Sequence, residues 1–203
     1  MAGYIYLWML WSIWTISTFI LNKNNSLRLP IACSALLLVI VFPFSISFFT
    51  LQIQLTALIL TLFCYIYIAK QSRLQKIYSF MSIFIVMTGY TGFLLVEMVD
   101  PAWILIDRRV LLTILLIILA FCLYPNSYLS LITCIIIGTF HGEILFSTIL
   151  LKWNITYIVG TGGYLDLISY CIIIVFFIRF IYKLVAYVIT SKQSLVKSNR
   201  RIV

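Results

Sequence analysis

Apolar residues fall in blocks of roughly membrane length, separated by short polar links, and this pattern sets the first reading of the chain. Six blocks, 1–21, 29–47, 51–69, 77–96, 128–151 and 164–187, are of a length that spans roughly 30 Å of hydrocarbon as a helix. The remaining block, 110–124, would reach only about 22 Å at 1.5 Å per residue. Its helix is therefore expected to begin upstream and to bring Asp107, Arg108 and Arg109 to the membrane edge. The pattern predicts an all-α fold, a polytopic membrane helix bundle of seven transmembrane helices. Residues 1–190 form its single transmembrane domain and 191–203 a mobile basic cytoplasmic tail.

Local signals refine the boundaries. The first block has no lysine or arginine before it and no small-residue cleavage site after it, so a signal peptide is not expected. Tyr4, Trp8 and Trp11 share one helical face, the placement of an interfacial aromatic belt. Pro30 suits a first helical turn, and Pro43 is expected to kink or end the second helix before a short turn into the third. Gly89 and Gly92 are expected to let a neighbour approach the fourth helix closely. Asp100 followed by Pro101 reads as an N-cap and first turn, and residues 124–127 as a turn.

Composition agrees: 64% of residues are hydrophobic, 9% are charged and the mean hydropathy is +1.16, far from a soluble domain. The net charge of +9 does not point to nucleic acid, because the basic residues flank apolar blocks instead of sharing one soluble face. They do report orientation. Lys23, Arg28, Lys70, Arg73, Lys76, Arg179, Lys183, Lys192, Lys197, Arg200 and Arg201, eleven of the fourteen, fall on one side of the predicted bundle. Arg108, Arg109 and Lys152 fall on the other. The positive-inside rule then places the N-terminus outside and the C-terminus inside, with the tail facing anionic lipid. All five acidic residues collect in the outer third or the outer links. Cys33, Cys64, Cys122, Cys134 and Cys171 lie within apolar blocks without ligand spacing and read as reduced, buried side chains.

Candidate chemistry centres on residues 138–147, where the one histidine and a glutamate interrupt the sixth block. An ionised side chain in hydrocarbon costs on the order of 3 kcal/mol even on the lenient insertion scale, so it needs a partner, water or a function. His141 and Glu143 lie about 20 Å along the predicted helix, near the outer links. They point about 200° apart, so one unbroken helix cannot use both on the same ligand. Glu143 shares its stripe with Thr139 and Ser147 and is expected to be buried against protein, within reach of an arginine or a hydroxyl, with at least one of Arg108 and Arg109 as its partner or one water away. Asp166 sits one turn into the seventh helix. Candidate ligand-binding residues are therefore His141, Glu143, Asp166, Arg108, Arg109 and Glu97. The chain carries none of the usual nucleophile, zinc or phosphate-loop signatures, and nothing calls for a catalytic residue, metal or cofactor.

The aromatic first block, the segment Glu97-Met-Val-Asp-Pro-Ala-Trp103, the triplet His141-Gly142-Glu143 and Tyr164-Leu165-Asp166 at the start of the seventh block resemble the YphA-type membrane proteins of Bacillus relatives. The resemblance covers nearly the whole chain. It implies a multi-pass cell-membrane protein of a Gram-positive bacterium and implies no activity.

Three functional readings follow. In the first, an outer-facing polar pocket binds or passes a small ion, a polar solute or a lipid headgroup. The alternative is a structural or assembly protein whose charges are only paired. The remote alternative is a membrane-embedded enzyme, which requires the sixth helix to break at Gly142 so that His141 and Glu143 converge. No inverted repeat supports a transporter. The bilayer is the one partner the composition demands.

Overall fold

The computed structural model describes residues 2–23, 25–48, 51–100, 107–125 and 127–199, with side-chain surroundings as far as Tyr187. It divides into two units, Met1–Cys171 and Ile172–Val203. Among the described residues are seven α-helices and three short strands.

The first unit begins with α1, Tyr4–Thr15, which continues through a π-helical turn over Ile16–Ile20. Helix α2, Arg28–Val41, follows, and Arg28 reaches back to donate to the Ser17 and Thr18 carbonyls at 3.2 and 2.6 Å. The lysine- and arginine-rich first link thus also caps the carbonyls that α1 leaves unsatisfied. Trp8 and Trp11 are exposed on α1, as an anchoring belt requires.

Helix α2 stops at Val41, just before Pro43, and a hairpin follows where a short turn was expected. Strand β1, Ser45–Phe48, pairs antiparallel with β2, Leu51–Gln54, in the register Ser45 to Gln54 and Ile46 to Ile53. The local cause is period-two alternation, Ser-Ile-Ser against Gln-Ile-Gln, which suits a strand and not a helix. Strand β3, Ile158–Val159, adds parallel to β2. The fold is therefore mostly helical with a small mixed sheet, not purely α, and α3, Leu55–Ala69, begins four residues later than the apolar block.

Helices α4, Arg73–Val99, and α6, Tyr128–Leu151, share the most extensive helix contact of the unit. Gly138 and Gly142 are the reason. A Cβ on Gly138 would lie 2.6 Å from Val86 Cγ1, and one on Gly142 2.7 Å from Tyr90 Cδ1. Thr91 seals the seam by donating to the Gly142 carbonyl at 3.1 Å. The expectation attached to Gly89 and Gly92 moves accordingly: a Cβ on Gly89 meets only Leu119 at 3.5 Å, and one on Gly92 meets nothing within 4 Å. Gly138→Ala should therefore cost about 1–3 kcal/mol through overpacking. Gly92→Ala, which only gains helix propensity, should be neutral or slightly stabilising. Unfolding of both variants in detergent, read by circular dichroism, checks the contrast.

Helix α5, Arg108–Leu123, starts with Asp107 as N-cap, whose carboxylate accepts from the Arg109 N–H at 2.8 Å. The upstream start expected at Asp100-Pro101 falls on residues 101–106, outside the described part, and Asp100 itself closes α4. Arg108 and Arg109 accordingly sit in the first turn. Helix α7, Gly162–Asn199, contributes its first ten residues to this unit.

Hydrogen bonds gather the turns at two ends. At one end Asp166, at the start of α7, holds the start of α1, while the β1–β2 hairpin pairs with β3. At the other, Tyr78 donates to the Leu123 carbonyl at 2.6 Å, and Tyr124 and Gln71 meet on Ser79.

The second unit is the remainder of α7. It is helical through Asn199, so residues 191–199 of the expected tail continue the helix. Exposed Phe176, Phe177 and Phe180 give it an apolar surface suited to lipid. Arg200 and Arg201 of the predicted tail lie outside the described residues.

Among the described residues three helices, α4, α6 and α7 as far as Tyr187, are long and apolar enough to cross a membrane, and α1, α2 and α3 are apolar but shorter.

Candidate functional site

Helix α6 is buried along most of its length, and its Thr139, Glu143, Ser147 stripe faces protein throughout. Glu143 is 1% exposed. Its Oε1 accepts from the Tyr90 hydroxyl at 2.6 Å and from the Tyr157 hydroxyl at 3.0 Å. Oε2 accepts from Tyr157 at 3.0 Å and from the Gly160 N–H at 3.2 Å. Hydrogen bonds to a carboxylate are about twice as strong as neutral ones, so this set can hold a buried charge without a cation in contact.

Each donor is placed by local structure. Tyr90 projects from α4 where Gly142 lets the helices close. Tyr157 lies in the segment between α6 and β3, fixed by Ser147, which donates to its carbonyl at 3.2 Å, and by an edge-on contact with Phe146 at 5.2 Å between ring centres. Burial, then the neighbouring carboxylate, pushes the Tyr157 phenol above its ordinary pKa, so it remains a donor. Gly160 adopts φ +76°, and a Cβ there would meet the Ala57 Cβ at 2.4 Å, so only glycine can present this N–H.

Glu143 is buried within reach of hydroxyls, as expected, while among the described residues neither arginine forms an ion pair with it. Arg108 Nε binds Glu97 at 3.0 Å, and Arg109 approaches Asp166 at 4.0 Å. The phenols occupy the carboxylate instead. Arg108 and Arg109 nevertheless line the same cavity as Glu143, about 250 Å³, together with Tyr90, Tyr157, Thr161, Gly163 and Tyr164. Two larger depressions, about 500 and 470 Å³, each lie along the face of one helix, α1 or α5, and suit acyl chains.

The other candidates separate. Asp166, 1% exposed, is not partly solvated as an outer-boundary residue would be. Its Oδ2 accepts from the Gly3 N–H at 2.7 Å and its Oδ1 from Ile5 and Tyr6 at 3.0 and 3.1 Å. It is an N-cap supplied by a distant helix. His141 faces away from Glu143: Nδ1 is 2.8 Å from the Ile137 carbonyl and Nε2 is 3.0 Å from the Tyr65 hydroxyl. A carbonyl only accepts, so Nδ1 carries the proton and Nε2 accepts from Tyr65. Helix α6 runs unbroken through Gly142, and the convergence an enzyme of His141 and Glu143 requires does not form. Among the described residues no cluster of His, Cys, Asp and Glu is arranged to hold a metal.

Sequence reading missed Tyr90, Tyr157 and Tyr164. The signal was present but weak: a phenol two residues from Gly92 in the middle of an apolar block is not at belt depth.

A mostly helical chain with membrane-length apolar helices and acids sealed inside it is an integral membrane protein. It belongs to the YphA-like integral membrane protein family, whose model matches residues 2–201. No curated protein and no solved structure matches the chain.

Proposed function

We propose that this is a seven-span protein of the bacterial cell membrane, N-terminus outside, whose outer-facing cavity binds a small polar solute, an ion or a lipid headgroup. The observation that carries the reading is the cavity of about 250 Å³ lined by Glu143, three tyrosines and two arginines. A protein whose charges were only paired has no need of polar space among them. The saturated carboxylates of Glu143 and Asp166 favour the scaffold alternative, but the half-exposed Arg108 and Arg109 do not fit it.

Seven crossings are supported by the hydrogen bonds from Gly3, Ile5 and Tyr6 to Asp166, since six crossings return the chain to its starting side. The pairing of β2 with β3 likewise fits four crossings between them. The shorter helices α1, α2 and α3 reach the headgroup region by local thinning of the bilayer and snorkelling of flanking residues. Lysine and arginine enrichment at the opposite end sets that end inside, against anionic lipid.

The test is thiol labelling in a background without the five native cysteines. Thr161→Cys, on the cavity wall, should react in intact cells with a membrane-impermeant maleimide, and Lys70→Cys only after permeabilisation. Labelling of both from one side would overturn the topology and the outward-facing cavity together.

A further inference from the structure

The cavity lining carries both signs of charge. Tyr90 and Tyr157 each donate their single proton to Glu143, leaving phenolic lone pairs with a negative charge behind them. Oxygens polarised in this way accept further hydrogen bonds well, and the faces of phenol rings attract cations. Three donors already crowd the carboxylate itself, so a ligand meets the phenols first. An anion is repelled there. A donor-bearing cation is drawn in.

The two arginines of the lining have the opposite character. Arg108 gives its Nε to Glu97, and among the described residues no ion pair takes the two terminal nitrogens of its fork. Arg109, 45% exposed, has one ion contact among the described residues, at 4.0 Å to an Asp166 whose oxygens already serve three backbone N–H groups. Two guanidinium groups in the first turn of α5 match a phosphate better than a single lysine would. We propose that the cavity binds a short zwitterion, with a primary ammonium on the Tyr90 and Tyr157 phenols beside Glu143 and a phosphate at Arg108 and Arg109. This rests on the cavity being a binding site, as proposed above.

Size narrows the source. At about 250 Å³ the cavity is smaller than the sites that enclose drug-sized ligands, so it admits a headgroup or a free aminoalkyl phosphate but no acyl chain. A quaternary ammonium offers no hydrogen-bond donor to the phenols, so ethanolamine phosphate should be preferred over choline phosphate.

Full-length protein in phosphatidylcholine nanodiscs, titrated calorimetrically with phosphoethanolamine, phosphocholine, ethanolamine and inorganic phosphate, tests the assignment. Phosphoethanolamine should bind about tenfold or more tightly than each of the other three. Glu143→Gln should erase its advantage over inorganic phosphate, and Arg109→Gln should weaken both phosphates while sparing ethanolamine. Nanodiscs containing phosphatidylethanolamine separate the sources: loss of binding of the soluble probe identifies the lipid headgroup as occupant, and unchanged binding identifies a free solute. Inorganic phosphate or phosphocholine binding as tightly as phosphoethanolamine would overturn the zwitterion. So would absence of phosphoethanolamine binding together with no effect of phosphatidylethanolamine on the unfolding temperature. A Thr161→Cys protein that labels from outside yet gives either of those results loses the zwitterion and keeps the cavity.

Discussion

Replacing Glu143 by alanine is expected to destabilise the first unit by about 3 kcal/mol, because it strands the Tyr90 hydroxyl, the Tyr157 hydroxyl and the Gly160 N–H at once, each buried donor costing about 1–3 kcal/mol before water reaches it. Water in the adjoining cavity lowers the total for the two phenols. It cannot help Gly160, whose N–H is fixed by a left-handed backbone. Glu143→Gln keeps one carbonyl for Tyr90 but turns an amide NH₂ toward the Gly160 N–H, two donors face to face, so about 1–2 kcal/mol is expected. Arg108→Ala and Arg109→Ala should each cost less than about 1 kcal/mol, since both ion pairs are half-exposed on the arginine side and neither holds the carboxylate of Glu143. That order reverses the one expected if an arginine were the partner of Glu143. Denaturant unfolding of the four variants in one detergent gives the ranking. An Arg108→Ala loss exceeding that of Glu143→Gln would mean the guanidinium, and not the phenols, sustains the charge.

Why the phenols escaped the sequence reading is a matter of distance along the chain. Tyr90 and Tyr157 are 53 and 14 residues from Glu143 and are brought to it by two different devices, the glycine seam of α6 and a turn at Gly160. A single sequence exposes helical stripes, so Thr139, Glu143 and Ser147 were legible as one face and His141 as another. It does not expose which neighbour meets a stripe. The nearest charges of opposite sign, Arg108 and Arg109, were therefore the natural guess, and they do line the same cavity.

The sheet was missed for another reason. Ser-Ile-Ser and Gln-Ile-Gln alternate at period two, but they join apolar helices without a break in hydropathy, so a window long enough to find helices averages the strands away. Gly160 takes its φ of +76° in the turn before α7, and its role as a donor depends on β3 adding to β2. Gly89 and Gly92 show the limit of composition most plainly: small residues permit close approach, and only packing decides which of them use it.

Asp166→Ala is expected to release the start of α1. The carboxylate of Asp166 accepts three backbone N–H groups that no residue within α1 can satisfy, and it sits against the positive end of that helix. Contact there is too close for a substitute to move in: Gly3 has φ +103°, and a Cβ on Gly162 would lie 2.6 Å from the Ala2 carbonyl oxygen. Three orphaned donors at about 1 kcal/mol or more each suggest a local loss of about 3 kcal/mol, enough to expose the first turns of α1 by local opening without unfolding the α4–α6 seam. Asp166→Asn, which keeps one carbonyl but sets its NH₂ against a donor, should fall between. Gly162→Ala should open the same contact through sterics alone. Hydrogen exchange resolved by peptide should then rise over residues 3–10 in all three variants and stay unchanged over residues 82–94 and 134–147. Equal protection of α1 in Asp166→Ala and in the parent would show that the stacking of Tyr6 on Phe42 and the Arg28 cap suffice to hold the helix, and that Asp166 is free for a ligand after all.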